Sequence, residues 1–302
     1  MSTERFESAM QQVFDRYGVT AESHFVDGPV VNGRVHVLVA GHGPPLVLIN
    51  GGGTPAAMLA PLMAELPGYR LYAIDLPGFG LTDTTPTFAS DLRRNSVTLV
   101  RDTLDRLGLD RVTTVANSFG SLVTLWAALD MPVRVAASVH VGCPAIILNT
   151  AAPLPMRMLS TQLGPLIMKV DSPSPRQVSR LSKVVREYPL DPTIRDLLLE
   201  TERLDGYSDA LLGMYRKLIR LRGARPEMSL GEEDLGRISQ PTQLIWGKDD
   251  PFGSPDVGRS VAALMPNAEL HVVPGGHAPW LRHGSEVGVL ARSFLARSVR
   301  SE

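Results

Sequence analysis

The chain has 302 residues, 44% hydrophobic and 20% charged, with 30 Lys plus Arg against 31 Asp plus Glu and a formal net charge of −1. Such a chain accommodates one large globular domain, or a core with a smaller insert, and buries enough apolar surface to need no disulfide or metal staple. The balanced charge excludes the electrostatic footprint of a nucleic-acid binder and of a polybasic membrane anchor.

A first helix is expected over residues 4–17, where Phe6, Met10, Val13 and Phe14 recur at helical spacing. Residues 22–40 read as two short strands around the turn Asp27-Gly28-Pro29, with Val35, Val37 and Val39 alternating against Arg34, His36 and Leu38. The run from Pro45 to Asn50 is short and continuously apolar, as in a strand buried on both faces of a parallel sheet, and it ends in Gly51-Gly52-Gly53. Helix over 55–66, strand over 69–75, helix over 90–108, strand over 112–117, helix over 119–130 and strand over 135–142 follow in turn. Strands resume over 242–247 and 269–274, with helices over 255–265 and 284–299. This alternation predicts an α/β fold on a largely parallel sheet.

Residues 145–233 differ in character. They are rich in Leu, Met, Arg and Pro, show no clear strand, and read as helical over 176–187, 193–204 and 207–222. They are expected to form a helical insert over a core made of residues 1–144 and 234–302. No run of about 18 apolar residues predicts a membrane span. The charged first ten residues do not read as a signal peptide. The single cysteine, Cys143, allows no intrachain disulfide and no cysteine-based zinc site. A soluble protein of the cytoplasm is the simplest expectation.

Chemistry concentrates in a few turns. Ala116-Asn117-Ser118-Phe119-Gly120 joins a predicted strand to a predicted helix as small-x-Ser-x-small. A nucleophile on so sharp a turn needs small neighbours two residues away, and the helix N-terminus behind it supplies N–H groups. A serine capping its own helix is the plain alternative. A serine hydroxyl needs a base. His277, in the loop after the last predicted strand, fits best, with His283 a weaker competitor. The imidazole in turn needs an acid to fix its tautomer. Asp250 and its neighbour Asp249 both end a strand in that order. The glycines after Asn50 can aim N–H groups at an oxyanion, with Gly52 and Phe119 the expected donors. The glycines lack the spacing and the Lys of a phosphate loop.

Asn50-Gly51-Gly52-Gly53, Asp75-Leu76-Pro77-Gly78-Phe79-Gly80, the Ser118 pentapeptide, Gly247-Lys248-Asp249-Asp250-Pro251 and Gly276-His277-Ala278-Pro279-Trp280 occur in this order. With them the chain resembles α/β-hydrolase-fold proteins over nearly its whole length. The resemblance implies an eight-stranded, mostly parallel sheet with a helical cap between the sixth and seventh strands. It places the acid three residues after Gly247, at Asp250, and it implies no cofactor or metal. The chain departs from the family at Asn50, where His-Gly is usual. Ser118 speaks against haloalkane dehalogenases and soluble epoxide hydrolases, which carry Asp there.

Asn117-Ser118-Phe119-Gly120 is also similar to the Asn-Ser-Met-Gly of hydrolases that cleave carbon–carbon bonds in meta-cleavage products, although those carry Trp directly after the histidine. The expected activity is hydrolysis of a small, largely apolar carboxylic ester or lactone through an acyl-enzyme on Ser118. Carbon–carbon hydrolysis of dienoic acids is the alternative, and a non-hydrolytic receptor or biosynthetic cyclase on the same fold is a third reading. Asn50, Gly51, Gly53, Asn117, Cys143 and Trp280 are expected to line the pocket. Met156, Met158, Leu159, Leu163, Leu166, Ile167 and Met168 are its expected roof. The basic run Arg216, Lys217, Arg220, Arg222 and Arg225 reads as a solvated face that could instead meet an anionic substrate. A small molecule is the expected partner, with a homodimer the one assembly considered and no nucleic acid or membrane.

Overall fold

A computed structural model describes residues 2–148 and 150–298. The chain opens with helix α1 (Ser2–Tyr17), followed by strands β1 (Ala21–Gly28), β2 (Gly33–Gly41) and β3 (Pro45–Ile49). Short helix α2 (Ala60–Met63), strand β4 (Arg70–Ile74), helix α3 (Leu92–Arg106), strand β5 (Val112–Ala116), helix α4 (Ser118–Asp130) and strand β6 (Val135–Val141) come next. The insert then brings helices α5 (Leu154–Leu159), α6 (Gly164–Val170), α7 (Pro175–Val184), α8 (Pro192–Glu202) and α9 (Tyr207–Leu218). A small antiparallel hairpin, β7 (Ile219–Arg220) and β8 (Gly223–Ala224), closes it. The chain returns through α10 (Glu232–Arg237), β9 (Thr242–Gly247), α11 (Pro255–Leu264), β10 (Ala268–Val273) and α12 (Trp280–Ser298).

Eight strands form one sheet in the order β1-β2-β4-β3-β5-β6-β9-β10. The pairs β1/β2 and β2/β4 are antiparallel, and all others are parallel. Both faces of the sheet are covered. Along β3, Val47 and Ile49 join the core under α3 and α4, whereas Leu46 and Leu48 join the core under α1, α2 and α12. This two-sided burial is why the parallel strands read as continuous apolar runs. It also explains β2, where His36 and Leu38 are as buried as the valines they alternate with. Helix α1 covers the second face there, with Phe6, Met10, Val13 and Phe14 turned inward.

The insert departs from expectation in three places. Helices α5 and α6 were not foreseen, because each is under eight residues and carries a proline as its second residue. The helix expected over 176–187 stops at Val184, and Arg186 takes a φ of +61°. The helix expected over 207–222 stops at Leu218 and turns into the hairpin. The last helix begins at Trp280, with a kink at His283, rather than at 284, and its expected end at 299 lies outside the described residues. No helix among the described residues is long and apolar enough to cross a membrane.

The C-terminal ends of β5, β6 and β9 converge where the loop after β10 crosses them. The approach is closest at Gly247, where a Cβ would stand 1.8 Å from the Gly276 carbonyl oxygen. Gly247→Ala is therefore expected to force the two loops apart and to lower stability by about 1–3 kcal/mol. An unchanged urea midpoint would show that the loops yield at no cost.

Candidate active site

Ser118 sits where β5 turns into α4, with Asn117 extended before it and Ser118 itself at a φ of +52°. A non-glycine residue held there is strained, and the surroundings must enforce it. The packing does so. Gly120 lies so close to β3 that a Cβ would meet the Ile49 carbonyl oxygen at 2.2 Å. The Asn117 side chain pins the other side, donating to the Val141 carbonyl at 2.7 Å and to the His277 carbonyl at 2.9 Å.

His277 and Asp250 form the second part. His277 Nδ1 lies 2.9 Å from Asp250 Oδ2. Asp250 Oδ2 also accepts from the Cys143 N–H, and Oδ1 accepts from the Phe252 N–H, both at 2.9 Å. Phe252 stacks on the imidazole at a centroid distance of 4.0 Å. Asp250 is buried and Asp249 is exposed, so Asp250 is the acid that meets the histidine. His277 Nε2 is buried and has no hydrogen-bond partner. The link from Nε2 to Ser118 is thus not made here, as is common before substrate binds. His283 lies at the kink of α12 and makes no hydrogen bond to Asp250.

Ser118, Phe119, His277 and the Gly51–Gly53 loop open on one cavity of about 200 Å³ between the sheet edge and the insert. As the second residue of α4, Phe119 has an N–H with no intrahelical acceptor. Neither it nor the Gly52 N–H enters a hydrogen bond among the described residues.

The expected pocket residues divide. Gly51, Gly53 and Asn117 line the cavity; Asn50, Cys143 and Trp280 do not. Asn50 turns its amide to the Pro55 carbonyl at 2.9 Å and braces the glycine loop from beneath. Cys143 is wholly buried behind Asp250, and burial, with Asp250 beside it, pushes its thiol up. Trp280 is core, its Nε1 reaching the Met58 carbonyl at 3.3 Å. Of the expected roof, Met156 and Leu159 line the cavity. Met158, Leu163 and Leu166 face outward, and Ile167 and Met168 do not reach it. None of the five basic residues lines it either.

Sequence reasoning missed the polar side chains that the insert does supply. Glu187, Glu202, Tyr207 and Tyr215 all line the cavity. Glu187 is fully buried, and burial pushes its carboxyl up against the pull of two backbone donors. Tyr207 donates to the Gly53 carbonyl at 3.2 Å. Burial, and Glu202 nearby, raise both tyrosines. Glu187 follows Lys183 and Arg186, and Glu202 follows Glu200, so both read in the sequence as solvated charges.

An elbow serine, a buried acid–histidine pair and two unused N–H donors around one cavity define a hydrolase-type centre on an α/β scaffold. Residues 46–288 match the alpha/beta hydrolase family, and the chain belongs to it. It is 29% identical to 2-hydroxy-6-oxo-6-phenylhexa-2,4-dienoate hydrolase of Burkholderia cepacia, over 88% of this chain and 92% of that one. It is 30% identical to a 2-hydroxy-6-oxononadienedioate/2-hydroxy-6-oxononatrienedioate hydrolase of Burkholderia vietnamiensis, over 87% and 91%. Among solved structures, carboxylesterase CesB of Bacillus subtilis superposes with a TM-score of 0.79 at 21% identity, covering 97% of this chain and 98% of that one. The meta-cleavage product hydrolase CumD of Pseudomonas fluorescens IP01 gives 0.70 at 21%, covering 93% and 96%. At that identity the two structures show the shared fold alone.

Burial pushes the Glu202 carboxyl from its ordinary 4.5 up to about 7, with Asp171 adding to the rise and Gln177 opposing it. The folded chain therefore keeps a proton that the unfolded chain releases between these values, so stability falls as pH rises through that window. Glu202→Gln is expected to raise Tm at pH 8 by roughly 2–6 °C and to leave it unchanged at pH 4. Equal shifts at both pH values would show that Glu202 keeps its ordinary titration.

Proposed function

We propose that this α/β hydrolase works through an acyl-enzyme on Ser118. One observation carries the reading: Ser118, His277, Gly52 and Phe119 line one cavity, Nε2 of His277 and the N–H groups of Gly52 and Phe119 have no hydrogen-bond partner among the described residues, and Asp250 is buried against the histidine. His277 Nε2 takes the Ser118 proton as the hydroxyl attacks a carbonyl carbon. Asp250 holds the Nδ1–H tautomer and stabilises the imidazolium. The two N–H groups receive the oxyanion. His277 then protonates the leaving group and activates water to release the acyl product.

For the bond cleaved, relatives over nearly the whole chain are named for dienoate hydrolysis. They support carbon–carbon cleavage better than the ester that the motifs put first, and carbon–carbon hydrolysis is the leading reading. A carbon leaving group departs only when its electron pair is delocalised, which a dienoic keto acid provides. The ester reading keeps second place on a structural ground. Among the described residues no Lys or Arg lines the cavity, and two carboxyl groups do. A substrate carboxylate entering that wall loses its hydration without gaining a cationic partner.

The test sets 2-hydroxy-6-oxo-6-phenylhexa-2,4-dienoate, followed by loss of its visible absorbance, against p-nitrophenyl esters from acetate to decanoate. Dienoate turnover is expected to exceed ester turnover and to fall by at least about 10³-fold in Ser118→Ala. Ester turnover alone, lost in the same variant, would reverse the order of the two readings. Turnover of both that is indifferent to Ser118 would remove the acyl-enzyme.

A further inference from the structure

The loop that carries His277 is held from two sides by different parts of the chain. Its carbonyls are held by the core: Asp249 N–H donates to the Gly275 carbonyl at 2.9 Å, and the Asn117 amide donates to the His277 carbonyl. Its N–H groups turn the other way, into the insert. The Gly276 N–H donates to Glu187 Oε1 at 2.7 Å, the His277 N–H to the Val185 carbonyl at 3.0 Å, and the Ala278 N–H to Glu187 Oε1 at 3.1 Å. The N–H groups of Gly276 and Ala278, two residues apart, thus converge on one carboxyl oxygen, while the N–H between them takes a backbone carbonyl of the same segment. The approach is tight, since a Cβ on Gly276 would stand 2.4 Å from the Val185 carbonyl oxygen.

Glu187 reaches this place only because α7 ends at Val184. The chain turns there through Arg186 in its left-handed conformation, before α8 starts at Pro192. Its side chain is fully buried, and Oε2 has no hydrogen-bond partner. A carboxyl buried with half its acceptors unused is a poor stabilising device. Leu or Met at this position would pack without that cost, but neither could accept the N–H groups that flank His277. The side chain is fitted to the loop rather than to the core.

We propose that Glu187 is a positioning residue for His277, by which the insert fixes the imidazole over Ser118. The proposal rests on His277 being the base, and it adds that the base is aligned only while the segment 185–187 is seated. Displacing that segment frees three consecutive amides and leaves the loop on its carbonyls and the imidazole on Asp250 and Phe252, a looser hold on one side only.

The experiment pairs steady-state kinetics with hydrogen–deuterium exchange of the peptide spanning 275–279, on the full chain. Glu187→Ala is expected to lower kcat at least ten-fold with KM changed less than two-fold, and to speed exchange in that peptide. Glu187→Gln keeps a carbonyl acceptor and is expected to recover most of kcat and of the protection. Should Glu187→Ala fail to fold, Glu187→Asp replaces it, being too short to reach both N–H groups and expected to behave as the alanine would. Wild-type kcat in Glu187→Ala or Glu187→Asp, or unchanged exchange at 275–279, overturns the proposal. So does equal impairment of the Gln and Ala variants. A wild-type chain without Ser118-dependent turnover would instead strike the acyl-enzyme reading, and the exchange measurement would still decide whether Glu187 holds the loop.

Discussion

A carboxyl group fully withdrawn from water must collect donors, and Asp250 satisfies that requirement in a way that assembles the site. Its three partners are the Cys143 N–H just past β6, the Phe252 N–H of its own loop, and the Nδ1 of His277 beyond β10. Moving any of the three leaves a buried acceptor short, at about 1–3 kcal/mol each. The loops after β6, β9 and β10 are therefore fixed in mutual register by one side chain. Asn117 repeats the device from the Ser118 side, joining Val141 and His277 through its amide. The elbow, the acid and the histidine thus share a single hydrogen-bonded frame.

The same physics occurs a second time at a place with no access to the cavity. Asp75 accepts from the Ala56 N–H at 2.6 Å and the Leu81 N–H at 2.9 Å, and its Oδ2 lies 2.7 Å from His36 Nδ1. His36 is fully buried and closes on Ser23 through Nε2. This pair ties the segment after the glycine loop to the loop after β4, and so steadies Gly52 from behind. What separates the two acid–histidine pairs is exposure: His277 presents its free nitrogen to a cavity and His36 has both nitrogens occupied. Residue types alone do not make that distinction.

The sheet was legible because burial on both faces imprints continuous apolar runs, and the elbow because only Ala116 and Gly120 fit beside a serine turned so sharply. The order of Ser118, Asp250 and His277 was legible for a related reason, since each follows a strand whose end is marked by a glycine or a turn. The insert was less legible. Its short helices α5 and α6 carry too few residues for a period to emerge, and their apolar side chains point both inward, at Met156 and Leu159, and outward, at Met158 and Leu166. Cys143 was expected in the pocket because it ends a strand at the active-site edge, and Trp280 because it follows His277 by three residues. Neighbours on an extended strand end or a helix start face opposite ways, and both turn into the core. Glu187 was invisible because its partners, the N–H groups of Gly276 and Ala278, are about ninety positions away and carry no side-chain signature.

The central claim is that Ser118 is made nucleophilic by His277 held against Asp250. The most direct measurement is the site of covalent labelling by a fluorophosphonate, read by peptide mass mapping in the wild-type chain and in His277→Ala. The account predicts a single adduct on the peptide containing Ser118, formed rapidly in the wild type and at least about a hundred-fold more slowly without the imidazole. An adduct on another serine, or labelling of Ser118 at the same rate in both proteins, would contradict it.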